Sequence, residues 1–100
     1  MIASVSEKMY LQASEKLAVS IQSAVKKELP KTRMRGIKQA GFYVLVGAAM
    51  PKVLIEAGFI TNKSEAKLLN KSSYRSEMAY GIFKGVQAYI IAHNSQTNSK

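Results

Sequence analysis

The segment Pro51-Lys-Val-Leu-Ile-Glu56-Ala-Gly-Phe-Ile-Thr-Asn62 decides the fold. Residues 53–55 are three consecutive β-formers, and such a run predicts a short strand that is buried on both faces. The strand leads directly into Glu56, and the following Ala57-Gly58 predicts a turn where that carboxylate is presented. Carboxylates are rarely buried without a partner because the loss of water around the charge is costly. Glu56 is therefore placed like a functional group rather than a solubilising one.

A helix is predicted on the N-terminal side of this segment. Ser4-Val-Ser-Glu7 fits a capping box, and Pro30 ends the helix because its ring disfavours helical backbone at Leu29. We interpret its apolar stripe as a face packed on a sheet, since alanines are too small for a membrane-binding face. The stripe consists of residues three or four positions apart, with two that widen it: Tyr10, Ala13, Leu17, Ile21 and Ala24, with Ala18 and Val25.

A second strand is predicted at residues 42–46, between Gly41 and Gly47. If it neighbours the strand at 53–55, the two should pair antiparallel, because about six intervening residues are too few for a parallel crossover.

Two helices are predicted after that second strand. Asn62-Lys-Ser-Glu65 repeats the capping pattern and begins a short helix that ends near Asn70. The last helix is predicted at residues 72–92, where Gly81 and Gly85 would let a neighbouring element approach closely. The polar tail at 93–100 is predicted to be frayed.

The predicted fold class is α/β, a portion of a mixed-sheet α/β sandwich with flanking helices. The predicted order is helix, strand, strand, short helix, long helix. Two strands alone are marginally stable in water, so we expect self-association or a partner segment to cover the incomplete sheet.

The composition restricts the possible partners. The chain has 100 residues, no cysteine and a net charge of +9, which suits one small domain without disulfides or a Cys-ligated metal. No apolar run approaches the roughly 18–20 residues that span a bilayer, and no leader is visible.

The positive charge favours anionic partners such as a wall polymer, a lipid surface or nucleic acid. The densest basic run, residues 26–38, is interpreted as a helix end and loop; it carries no nucleic-acid motif, and we expect no nucleic-acid partner.

Several segments in order resemble the zinc-dependent N-acetylmuramoyl-L-alanine amidases of bacterial cell walls. The resemblance is carried by Arg35-Gly-Ile-Lys38-Gln39-Ala40-Gly-Phe42-Tyr-Val-Leu45 and by Met50-Pro51 continuing through Asn62. Flanking segments agree, from Ser14-Glu-Lys-Leu17-Ala18 to Ala79-Tyr-Gly-Ile82-Phe-Lys-Gly85. The resemblance covers residues 1–92, as the C-terminal half of the family's catalytic domain, and leaves 93–100 as a polar tail.

The resemblance implies hydrolysis of the amide between N-acetylmuramic acid and the L-alanine of the stem peptide. In the family, zinc held by two His and one Glu activates water, and a second Glu, at the position of Glu56, assists by proton transfer. Those zinc ligands belong to the other half of the domain. His93 is the single histidine here, and we expect it to contact the carbonyls at the end of the last helix. This chain alone is therefore expected to bind no zinc and to hydrolyse nothing.

Other residues carry alternative interpretations. Arg35, Lys38 and Gln39 are predicted to contact the anionic substrate, with simple solvation as the alternative. Glu56 has the alternative of a structural carboxylate that accepts hydrogen bonds from the turn amides of residues 58 and 59. Some positions are predicted to be structural only: Phe59 and Ile60 in the core, Asn62 as a helix cap, and Glu7, Glu15, Glu28, Glu65 and Glu77 on helix surfaces.

Two functions are consistent with these features. The first is the C-terminal portion of a peptidoglycan amidase, located in the cell envelope or outside the cell. The second is a non-catalytic basic module that binds cell-wall polymer or another anionic partner.

Overall fold

The computed structural model describes residues 1–5, 10–39 and 50–98. The described residues form a three-stranded mixed sheet with the order β2-β1-β3, together with three helices, which confirms the α/β class. The elements in chain order are β1 (Ile2–Val5), α1 (Leu11–Glu28), β2 (Ile37–Gln39), β3 (Leu54–Glu56), α2 (Lys63–Leu69) and α3 (Ser72–Asn98).

The first element is the strand β1, so the helix cap predicted from Ser4 was wrong. All four β1 residues are buried, and Ala3 lies opposite Ile37 of the parallel β2 and opposite Ile55 of the antiparallel β3. Two reasons explain why the sequence did not predict this strand. A central strand that is covered on both faces shows no alternation of apolar and polar residues, and a segment of four residues is too short for its hydrophobic period to distinguish a strand from a helix. Residues 6 and 7 of the predicted capping box lie outside the described residues.

The two outer strands, β2 and β3, flank β1 and do not neighbour each other in the described sheet. β3 confirms that a strand lies here, but it includes Glu56, and its three residues are partly exposed rather than buried on both faces as predicted. The basic run was predicted to be a helix end and a loop, but its last residues enter β2. That strand begins directly after Gly36, whose φ of +86° favours glycine. The strand predicted at 42–46 lies outside the described residues.

Helix α1 packs one face against β1 and α3. Its buried residues are Ser14, Ala18, Ile21 and Val25, so the buried face is rotated slightly from the predicted stripe and includes a serine. The Ser14 hydroxyl accepts a hydrogen bond from the backbone N–H of Lys52 at 3.0 Å, which tethers the chain just before β3 to the helix.

Helix α3 crosses α1 at the predicted glycines. A Cβ atom on Gly81 would lie 2.9 Å from Val25 Cα, and one on Gly85 would lie 2.4 Å from Ile21 Cα. The Ser20 hydroxyl donates a hydrogen bond to the Gly85 carbonyl at 2.7 Å, as this close approach permits. The predicted role of the two glycines is confirmed.

Helix α3 continues to Asn98, beyond the predicted end at residue 92. His93 therefore lies inside the helix, where its ring stacks on Tyr89 with centroids 6.0 Å apart, and its predicted place after the helix was wrong. No glycine or proline follows Gly85, and a helix that has already formed extends at little cost per residue.

Candidate active site

Glu56 is the last residue of β3 and lies opposite Ile2 of β1. It is half-buried. Among residues 1–5, 10–39 and 50–98, no group forms a hydrogen bond or ion pair with its carboxylate. The turn amides of residues 58 and 59 therefore do not hold it, and the alternative of a structural turn cap was wrong. The strand thus ends on a carboxylate that has no partner within the described part of the chain.

The turn after Glu56 packs directly on α2. A Cβ atom on Gly58 would lie 3.3 Å from Leu69 Cδ1 and 3.5 Å from Glu65 Cβ, so even alanine there would require the Leu69 side chain to shift slightly. The backbone N–H of Asn62 donates to the Phe59 carbonyl at 3.0 Å, which closes the turn.

Asn62 is the N-cap of α2, as predicted. Its side-chain oxygen accepts a hydrogen bond from the backbone N–H of Glu65 at 3.1 Å and another from the Ser64 hydroxyl at 2.8 Å. The cap satisfies a backbone donor that the short helix would otherwise leave without an internal partner.

Arg35 and Glu65 form a bidentate ion pair beside this turn. The guanidinium Nη2 donates to Glu65 Oε2 at 2.6 Å, and Nη1 donates to Oε1. The guanidinium also lies over the Phe59 ring, 4.8 Å from its centroid. The side chains of Arg35 and Glu65 are only 18% and 13% exposed, so the prediction of Glu65 as a plain helix-surface residue was wrong. The partners are 30 residues apart, and no local pattern in the sequence indicates their pairing.

Hydrogen bonding between these groups changes both pKa values. The hydrogen bonds from Arg35 hold the pKa of the Glu65 carboxyl below its ordinary value of 4.5. The same hydrogen bonds raise the pKa of the Arg35 guanidinium. The pair is therefore fully charged at neutral pH.

We expect Glu65 to make stability depend on pH in the acidic range. Because its pKa is lower in the folded than in the unfolded state, its contribution is complete above its ordinary value of 4.5 and is lost as pH falls through the folded pKa. Unfolding of the wild type and of Glu65→Gln, measured from pH 7 to pH 3, should converge at the acidic end. A constant difference between them over that range would contradict this assignment.

The other predicted substrate contacts lie on a different strand. Lys38 of β2 is exposed and lies opposite Ser4, so β1 separates it from Glu56 of β3. Gln39 is the last residue of β2, and its backbone lies opposite Val5. Arg35, in contrast, has its side chain against the turn that follows Glu56.

Phe59 and Ile60 are at the surface, so their prediction as core residues was wrong. Phe59 is 37% exposed and Ile60 is 83% exposed. Both lie in the turn between β3 and α2.

The described residues do not fit a catalytic zinc site. Such a site takes three protein ligands, typically from His, Glu, Asp or Cys. Within the described ranges, no three such side chains lie close enough together to hold a metal ion. Within the same ranges, no helix is long and apolar enough to cross a bilayer.

Solved structures place this fold among the α/β domains of cell-wall amidases. The N-acetylmuramoyl-L-alanine amidase from Clostridium difficile 630 superimposes with a TM-score of 0.81 at 35% identity, over 89% of this chain and 47% of that one. The CwlD amidase from Clostridioides difficile, solved in complex with the GerS lipoprotein, gives a TM-score of 0.77 at 34% identity, over 90% of this chain and 46% of that one.

Sequence comparison identifies the family. A family model described as N-acetylmuramoyl-L-alanine amidase matches residues 3–88, and the chain therefore belongs to that family. The germination-specific N-acetylmuramoyl-L-alanine amidase of Bacillus subtilis is 37% identical over 77 residues, which are 77% of this chain and 32% of that protein. The chain thus spans about a third of that relative's length and about half of each solved structure.

Proposed function

We propose that this chain is the C-terminal half of a peptidoglycan amidase domain, which cleaves the bond between N-acetylmuramic acid and the L-alanine of the stem peptide. The observation that carries the proposal is the half-buried carboxylate of Glu56, which ends a sheet strand without a partner among the described residues. It lies within the segment that matches the amidase family.

Glu56 is suited to the proton transfers of amide hydrolysis. Water adds to the scissile carbonyl and loses a proton, and the departing amine must gain one before the carbon–nitrogen bond breaks. A single carboxylate can accept the first proton and donate it to the nitrogen, which balances the reaction. We propose that residues of the missing domain half would hold a zinc ion, which would lower the pKa of the water and stabilise the developing negative charge.

The proposal places the complete protein at the cell wall, in the envelope or outside the cell. We propose that exposed Lys38, and Gln39 beside it, contact the anionic polymer from β2. In the described residues, β2 and β3 each pair on one side only, and we propose that the remaining domain half or a second copy covers these edges.

Product analysis tests the proposal. The complete protein is incubated with purified peptidoglycan, and the products are identified by mass spectrometry after labelling of new amino groups. We expect new amino-terminal alanine and free lactyl carboxylates, with release abolished by a chelator and restored by Zn²⁺. New reducing sugar ends, or cleavage within the stem peptide, would contradict the assigned bond.

The net charge of +9 supports a second candidate, a non-catalytic module that binds anionic wall polymer. Co-sedimentation with insoluble peptidoglycan distinguishes the two functions. For a binding module, the fraction of protein bound to the polymer should fall steeply as the salt concentration rises, and no peptide should be released from the polymer. An amidase should release peptides.

A further inference from the structure

We propose that Arg35 is a positioning residue for Glu56 rather than a ligand of the substrate. We use the name Arg35 clamp for the mutual contacts of Arg35, Phe59 and Glu65. The clamp holds the turn that follows the proposed catalytic carboxylate. This inference rests on the proposed function of Glu56.

The clamp is anchored to the sheet on the Arg35 side. The backbone N–H of Arg35 donates to the Met1 carbonyl at 2.9 Å. The next residue, Gly36, uses its carbonyl to accept from Gln22 Nε2 at 2.7 Å and from the backbone N–H of Ala3 at 3.4 Å. The guanidinium is therefore presented from a segment that is bonded to both β1 and α1.

The guanidinium contacts protein groups along one edge and on one face. Two of its nitrogens bond the Glu65 carboxylate, and the ring of Phe59 lies against it. Among side chains, only the planar guanidinium of arginine can form two parallel hydrogen bonds to one carboxylate and stack on an aromatic ring at the same time. An anionic substrate that paired bidentately with the same two nitrogens would have to displace Glu65, which argues against that mode of substrate binding by Arg35.

The other side of the clamp leads directly to Glu56. Only Ala57 separates Glu56 from Gly58, which packs on Glu65, and Phe59 follows at once. The turn is thus held at one end by the pairing of β3 with β1 and at the other by the clamp. Proton transfer requires hydrogen-bond reach, and a misplacement of about 1 Å can cost about 100-fold in rate.

A double-mutant cycle in the complete protein tests the clamp. The variants are Arg35→Met, Glu65→Gln and the double variant. Arg75→Met is the matched control, because Arg75 is exposed and its guanidinium donates to the Leu69 carbonyl rather than to a carboxylate. We expect each single variant to lower kcat by about 10–100-fold, with KM within about twofold of the wild type. The double variant should be no slower than the slower single variant, because both changes remove one interaction. Arg35→Lys should recover part of the loss.

The opposite kinetic pattern would overturn the proposal. If Arg35 binds substrate, Arg35→Met raises KM, while Glu65→Gln, which frees the guanidinium, leaves KM unchanged or lowers it. Additive losses in the double variant would also count against a shared role.

A second readout separates this inference from the proposed function. Amide hydrogen exchange at residues 57–62 should accelerate in Arg35→Met and Glu65→Gln and not in Arg75→Met. Unchanged exchange would overturn the clamp even if Glu56 proves catalytic. Full activity of Glu56→Gln would instead refute the proposed function, whatever the exchange result.

Discussion

Replacing Glu56 with glutamine in the complete protein is expected to lower kcat by about 10²–10⁴-fold, the usual contribution of a positioned acid–base group. Glutamine keeps the size of the side chain but cannot accept and return a proton at neutral pH. Since the described residues give Glu56 no ion pair or hydrogen bond, the stability should change by no more than about 1 kcal/mol. The measurement is the initial rate of peptide release from purified peptidoglycan, with thermal unfolding followed in parallel.

Glu77→Gln is the matched control for this experiment. Glu77 is an exposed carboxylate on α3, and its replacement removes the same charge without reaching the proposed site. We expect its rate to remain within about twofold of the wild type, as for surface substitutions in general. Equal rates for the wild type and Glu56→Gln would exclude proton transfer by Glu56.

The second large effect is expected on stability, from Gly85→Ala. The added Cβ would lie 2.4 Å from Ile21 Cα and 2.9 Å from both Ile21 N and the Ser20 carbonyl oxygen. These are backbone atoms that cannot rotate away, so α1 and α3 must separate. Such overpacking lowers the free energy of unfolding by about 1–3 kcal/mol. Loss of the hydrogen bond from the Ser20 hydroxyl to the Gly85 carbonyl would lower it by about 1 kcal/mol more.

The helix propensity of alanine works in the opposite direction but is too small to compensate. Alanine is favoured over glycine by about 1 kcal/mol in a helix interior, which offsets only the lost hydrogen bond, so the net destabilisation in chemical unfolding should be about 1–3 kcal/mol. Gln87→Ala, at an exposed position of α3, is the control and should not destabilise. If Gly85→Ala were as stable as this control, the close helix contact would be wrong.

The features predicted correctly from sequence are those that a short segment specifies by itself. The β-formers before Glu56 predict β3, the Asn62 side chain is a strong N-cap, and the spacing of Gly81 and Gly85 indicates a close helix contact. In each case the residues that form the feature are adjacent, or one helical turn apart, in the sequence.

The features that were missed depend on distant partners. β1 is a strand because β2 and β3 pair with both of its edges, and nothing within its four residues distinguishes it from a helix start. The ion pair of Arg35 with Glu65 was not predicted, and Glu65 was instead predicted to be a surface residue, because the pair joins positions 30 apart. Such an interaction becomes visible only when the fold brings the two segments together.

The proton-transfer role of Glu56 is tested most directly by chemical rescue of Glu56→Ala in the complete protein. Removing the side chain leaves space at the end of β3 that a small carboxylate such as formate can enter. If Glu56 transfers the proton, the variant should be slow, and formate should accelerate peptide release in proportion to its concentration without affecting the wild type or Glu77→Ala. A Glu56→Ala variant that turns over at the wild-type rate, or a slow, folded variant that formate leaves unchanged, would contradict the role.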